Sequence, residues 1–140
     1  MILMQKMYLP DDLAAVPLRV MLAMPEPLCC AHVTQYLGEA TEIEVVGRTA
    51  AESEAMQLFF RLRPDVTVLD WRIAMHEPAR LVGMLKRVAP GACVVSVVPA
   101  LDSMPARAAR ALGADEVVTC DSLPQCLSTL AEHLERVRHH

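Results

Sequence analysis

The stretch Arg63-Pro64-Asp65-Val66-Thr67-Val68-Leu69-Asp70 decides how the rest of the chain is read. An apolar and β-branched run, entered through a proline and left through a lone carboxylate, describes a strand covered on both faces that opens into a loop at Asp70. In sheets of parallel strands, ligands collect beyond the carboxyl ends of the strands. Asp70 therefore stands where a site is expected.

Working outward, Leu18 to Ala23, Glu42 to Val46, Cys93 to Val98 and Glu116 to Thr119 have the same character and, with Asp65 to Leu69, predict five strands. Helical spacing fills the intervals. Ala51, Ala55, Leu58, Phe59 and Leu62 fall at i, i+4, i+7, i+8 and i+11, and Leu123, Cys126, Leu127, Leu130, Ala131 and Leu134 make a second apolar stripe. Asp102-Ser103 before Pro105 reads as a helix start, because a side-chain oxygen caps free amides and proline is tolerated in the first turn. Strands and helices alternating through short links predict an α/β fold, a doubly wound five-stranded parallel sheet with right-handed crossovers. Residues 1–17, closed by Pro17, form an N-terminal arm, and residues 18–138 one domain without repeats. The segments expected at the ligand end of the sheet are Met24-Pro25-Glu26-Pro27, Asp70 to Pro78, Val98-Pro99-Ala100 and Cys120-Asp121.

With 54% hydrophobic and 21% charged residues in 140, the chain has the apolar content to bury a core, which excludes a disordered segment. A net charge of -4 gives no basic footprint, and the pairs Arg61/Arg63, Arg107/Arg110 and Arg136/Arg138 read as solvated helix faces, so no direct nucleic-acid binding is expected. Met1-Ile2-Leu3-Met4 is too short for a signal-peptide core and no apolar run approaches ~20 residues, so a cytoplasmic protein without a membrane partner is expected. Cys29, Cys30, Cys93, Cys120 and Cys126 are odd in number and lack CxxC spacing. That suggests neither a disulfide framework nor a zinc site but reduced thiols, with Cys29-Cys30 packing in the first helix as small apolar side chains. His32 and His133 fall on separate helices without metal-ligand spacing, and His139-His140 are assigned no role.

Residues 18 to about 137 resemble the receiver domain of bacterial two-component response regulators, above all the subgroup with helix-turn-helix output. The resemblance is carried by Leu18 to Ala23, Pro27-Leu28, Ile43-Glu44-Val45-Val46-Gly47, Arg63 to Asp70, and Ala111-Leu112-Gly113-Ala114-Asp115, in order and almost without gaps. It implies a flavodoxin-like (βα)5 receiver fold. It also implies a mechanism in which an aspartate ending the third strand takes a phosphoryl group from a histidine kinase. In the family, Mg²⁺ is held by an acidic pair after the first strand, and a hydroxyl and a lysine after the fourth and fifth strands hold the product. The acceptor falls on Asp70, the acidic pair on Met24 and Pro25, the hydroxyl on Val98 and the lysine on Cys120. With four of those five positions altered, the resemblance is to a degenerate, atypical receiver.

Each alteration has a chemical meaning. A thioether and a proline ring leave Mg²⁺ mainly Asp70, a backbone carbonyl such as that of Arg72, and Glu26 as a loop ligand, so Mg²⁺ is expected to bind weakly; no other cofactor, metal site or catalytic residue is expected. Glu26 reads more naturally as a first-turn carboxylate favoured by the helix dipole. Cys120 brings no positive charge to a phosphoryl group and, without a nearby cation, reads as an inert thiol rather than a redox sensor. Val98 has the shape of threonine without a donor. Trp71 either anchors a partner beside Asp70 or packs; His76 reads as an exposed loop histidine; Met24, Met75 and Met104 suit an adaptable contact surface. The resulting expectation is a non-enzymatic domain that serves signal transduction or transcriptional regulation through protein contacts, independently of phosphorylation. The resemblance implies a homodimer formed through an outer helix, and a histidine kinase or another signalling protein as partner. Two alternatives stay open: a residual phosphoacceptor at Asp70, and a pocket made apolar by Met24, Pro25 and Val98 that takes a small ligand.

Overall fold

Strand β1 (Leu18–Ala23) buries both of its faces: Val20 and Leu22 point into one core, Met21 and Ala23 into another, and none of the four is exposed to solvent. A strand covered on both sides is what a continuous apolar run predicts. The other strands are β2 (Ile43–Thr49), β3 (Val66–Asp70), β4 (Cys93–Val97) and β5 (Glu116–Val118), all parallel, in the order β2-β1-β3-β4-β5. This is the doubly wound sheet expected from the sequence, and its winding reverses between β1 and β3. The computed structural model describes residues 16–138 except Met75 and Pro78. Most of the predicted N-terminal arm, Met75, Pro78 and His139-His140 lie outside the described residues, as do the side chains of Arg136 and Arg138.

Helices α1 (Ala31–Glu39) and α5 (Leu123–Arg138) cover one face, burying Val33, Leu123 and Leu127 against Val20 and Leu22. Helices α2 (Glu52–Leu62), α3 (Arg80–Val88) and α4 (Met104–Ala111) cover the other, where Phe59, Leu81, Leu85 and Ala109 meet Met21 and Leu69. Ser103 caps α4 by accepting the Ala106 N–H at 3.2 Å, with Pro105 in the first turn, as the sequence predicts. Strand β2 runs to Thr49, beyond the expected Val46. A bulge pairs Val20 with Val45 but Met21 with Gly47, and a Cβ on Gly47 would lie 2.5 Å from a Leu62 methyl.

The amino ends of the strands are tied by two aspartates. Asp65 accepts the Arg19 N–H at 2.8 Å while its own N–H donates to the Arg19 carbonyl at 2.9 Å. Asp115 does the same with Val94, at 2.8 and 2.9 Å, and pairs with Lys86 Nζ at 2.9 Å. The Arg19 guanidinium donates to the Leu62 and Arg63 carbonyls at the end of α2, where Arg63 turns left-handed with φ 49°. No helix among the described residues is long and apolar enough to cross a membrane.

Candidate functional site

Asp70 is the last residue of β3, opposite Val97 of β4, and is only 1% exposed. A carboxylate removed from water at this depth is costly unless paired and hydrogen-bonded. The chain supplies the partner itself. After Asp70 it enters a 3₁₀ turn, Trp71–Ala74, which carries Arg72 back over the strand end. The Arg72 N–H donates to Asp70 Oδ1 at 2.9 Å, Nε reaches both carboxylate oxygens at 3.1 and 3.2 Å, and Nη2 donates to Oδ2 at 2.8 Å. The backbone bond is the local i to i+2 turn that aspartate favours, and the guanidinium fork is the strongest geometry available to a carboxylate. Hydrogen bonding to Asp70 raises the Arg72 pKa above its already high ordinary value, so the cation is permanent. From its sequence position, Arg72 is expected to offer only a backbone carbonyl. The signal for its side-chain role was a long cation two residues beyond a strand-end carboxylate.

Asp70, Trp71, Arg72, Val98, Cys120 and Asp121 help line a cleft of about 300 Å³ at this end of the sheet. Trp71 is half-buried in its wall. Val98 is buried, and its N–H donates to the Val118 carbonyl at 2.9 Å. Met24, 2% exposed, belongs to the core beneath α1 and α5, which corrects its expected place on a contact surface; Met104 is 67% exposed. Pro25 is half-buried. Glu26 departs from its expected place in the first turn of α1: it is exposed, lies ahead of that turn, and accepts from Arg48 Nη1 at 2.9 Å. His76 is exposed, as expected, and neighbouring Glu77 pairs loosely with Arg80 at 3.5 Å.

The cysteines require the largest correction. Cys120, in the 3₁₀ turn Cys120–Ser122 after β5, forms a disulfide with Cys29, where five reduced thiols had been expected. Cys29 lies ahead of α1 and Cys30 is the residue that precedes its first turn, so the pair does not pack within the helix. The Cys30 sulfur lies 3.4 Å from that of Cys120, and the three sulfurs fall within 4.8 Å of one another. Parity and CxxC spacing could not reveal this, because the bonded residues are 91 positions apart. Cys93 of β4 and Cys126 of α5 are free thiols pushed up to about 11 by burial, Cys93 further by the charge of Asp115 and Cys126 by that of Glu116.

No family model matches the chain. The receiver domain of the stress response regulator RcsB from Escherichia coli superposes with a TM-score of 0.70 at 16% identity, over 86% of this chain and 95% of that one. A two-component response regulator of the LuxR family from Aurantimonas sp. SI85-9A1 gives 0.70 at 21% identity, covering 86% of each chain. The response regulator domain of Thermotoga maritima CheB gives 0.63 at 21%, over 89% and 96%. Among curated proteins, the transcriptional regulatory protein BtsR of Escherichia coli K12 is 32% identical over 68 residues, 49% of this chain and 28% of BtsR, so the likeness spans less than a third of that relative. The fold is that of response-regulator receiver domains.

Proposed function

We propose that residues 18–138 are a degenerate receiver domain that works in signalling or transcriptional regulation through protein contacts, without phosphorylation of Asp70 and without catalysis of its own. The observation that carries this reading is the Arg72 clamp: both oxygens of the buried carboxylate are already occupied by one guanidinium. An acceptor must present a free oxygen in line with the donor, beside a metal that neutralises the developing charge. Mg²⁺ seeks oxygen ligands in near-octahedral order. Here Met24 offers a buried thioether, Pro25 no donor side chain, and Glu26 a carboxylate engaged by Arg48, so the residues present do not fit the ion and its binding is weak at best. The remaining helper positions fit no better. The Val98 side chain has no donor, and the Cys120 sulfur, bonded to Cys29, carries no positive charge.

What remains is a binding module of the cytoplasm. Its partners are a second copy docked through an outer helix and a histidine kinase or other signalling protein. Neither nucleic acid nor membrane is contacted by this segment. The BtsR likeness favours a transcriptional setting. Leu101, Met104 and Leu112, exposed on or beside α4, offer apolar surface for such contacts.

The test is incubation with acetyl phosphate and Mg²⁺ followed by intact-mass measurement. The expected spectrum lacks the gain of ~80 Da that a phosphoryl group adds. A gain in the parent protein that disappears in Asp70→Asn overturns the reading in favour of a residual phosphoacceptor. Light scattering under the same conditions should report a dimer whose population ignores the phosphodonor.

A further inference from the structure

Three sulfurs lie at and beside the wall of the cleft, and contact with a protein partner gives them no task. Cys29 and Cys30 sit on the segment that enters α1, Cys120 on the turn that leaves β5, and all three are half-buried, within reach of a small reagent yet held by the fold. The Cα atoms of Cys29 and Cys120 are 6.0 Å apart, inside the span a disulfide bridges without backbone movement. Cys30 adds what a purely structural bridge lacks. Its free thiol lies 3.4 Å from the Cys120 sulfur, so an attacking group is stationed beside the bond it can exchange with. The other free thiols, Cys93 and Cys126, are held protonated by burial and take no part.

We infer that Cys29, Cys30 and Cys120 form a thiol–disulfide exchange site, taking a low-molecular-weight disulfide such as oxidised glutathione as its oxidant, and that oxidation fastens the α1 entry to the β5 exit across the cleft holding Asp70. The inference stands on the sulfur geometry and does not depend on how Asp70 is read. In the oxidising direction, the Cys120 thiolate attacks one sulfur of the small disulfide. A mixed disulfide forms and one thiolate leaves, taking up the proton that Cys120 lost. The Cys29 thiolate then attacks the Cys120 sulfur, expelling the second small thiolate, which takes the proton from Cys29. Two protein thiols are oxidised by two electrons and one disulfide is reduced to two thiols. Cys30 can attack the Cys120 sulfur of the finished bridge, releasing the Cys29 thiolate and forming a Cys30–Cys120 bond, so the oxidised state is a pair of isomers sharing Cys120.

The experiment uses the full chain, first reduced with dithiothreitol, freed of it, and exposed to glutathione buffers of increasing oxidised fraction. Alkylation and peptide mapping follow at each point. The expected result is a bridge within one chain, two of the five thiols becoming unreactive, with Cys29–Cys120 as the main linked peptide and Cys30–Cys120 as the minor one. In Cys29→Ser the bridge should move wholly to Cys30–Cys120; in Cys30→Ser only Cys29–Cys120 should form. Fluorescence of Trp71, the one tryptophan and part of the same cleft wall, should change with oxidation and return on reduction, and Cys120→Ser should abolish the change. Cys120 remaining alkylatable in oxidised buffer, ending only as a glutathione adduct, or linking two chains overturns the inference. So does a reduced protein that binds one equivalent of Zn²⁺ with loss of all three thiol reactivities, since the cluster would then be a metal site. If Cys120→Ser fails to fold, the peptide map of the parent protein still decides. The phosphodonor experiment reads mass at Asp70 and involves no thiol, so the two proposals fail separately.

Discussion

The two ends of the sheet solve the same problem with different chemistry. At the amino end, Asp65 and Asp115 each exchange two hydrogen bonds with the backbone of a neighbouring strand, so a short side chain locks register. At the carboxyl end, the Asp70 side chain is held by Arg72 of the following turn, and the joint between distant elements is a disulfide. Aspartates at the amino end are architecture, and removing either side chain leaves one strand-end amide without its acceptor. Asp70 is a buried charge with a private counter-ion, and the cost of disturbing it depends on which partner is removed.

The largest effect should come from the carboxyl end. The Cys29–Cys120 bridge spans 91 residues, and the chain-entropy model assigns a loop of that length about 4.6 kcal/mol. Urea unfolding of the oxidised protein should show Cys120→Ser destabilised by that order, the difference vanishing in dithiothreitol; equal stability in both buffers would place the two ends on the same footing. Next is an asymmetry within the ion pair. Arg72→Ala strands a carboxylate that is 1% exposed and should cost about 3 kcal/mol, whereas Asp70→Asn leaves a guanidinium 30% exposed that can turn to water, and should cost about 1. Equal costs would mean that Asp70 is not held chiefly by its charge. At the amino end, Asp115→Ala leaves the Val94 N–H without its acceptor, for about 1–2 kcal/mol by the same measurement. A last effect appears only at high pH. Cys93 and Cys126 keep their protons up to about 11 in the folded chain against an ordinary value near 9, so unfolding releases protons above pH 9. The stability they contribute is complete below pH 9 and is lost as pH rises toward 11. Thermal melts of a Cys93→Ala, Cys126→Ala double variant should decline less steeply across that window than those of the parent.

The fold was legible because its strands are short, apolar and separated by helical stripes, a pattern that burial on two faces imposes directly. Where the reading stopped short, contacts between elements had taken over. Gly47 and Arg48 do not read as strand, yet pairing across the bulge with Met21 and Leu22 extends β2 to Thr49. The start of α1 was misplaced because no oxygen-bearing side chain marks it: Cys30 precedes the helix without a capping bond, and Glu26 was therefore assigned to a turn it never joins. Of the site, Asp70 was legible from its place at a strand end. Its clamp was not, since an i to i+2 pairing exists only once a 3₁₀ turn has bent the chain back. The sulfur cluster joins segments that are remote in sequence, and no local pattern encodes it.

The intimacy of Asp70 and Arg72 also governs what the cleft can do at a distance. Opposite charges held at 2.8 Å cancel a few ångströms away, so this pair projects almost no field into solvent. A molecule approaching the mouth is not drawn in by long-range steering toward Asp70; it must find complementary shape. Asp70 should accordingly add little to the salt dependence of association there, and what steering the cleft exerts falls to the exposed Asp121 on its rim.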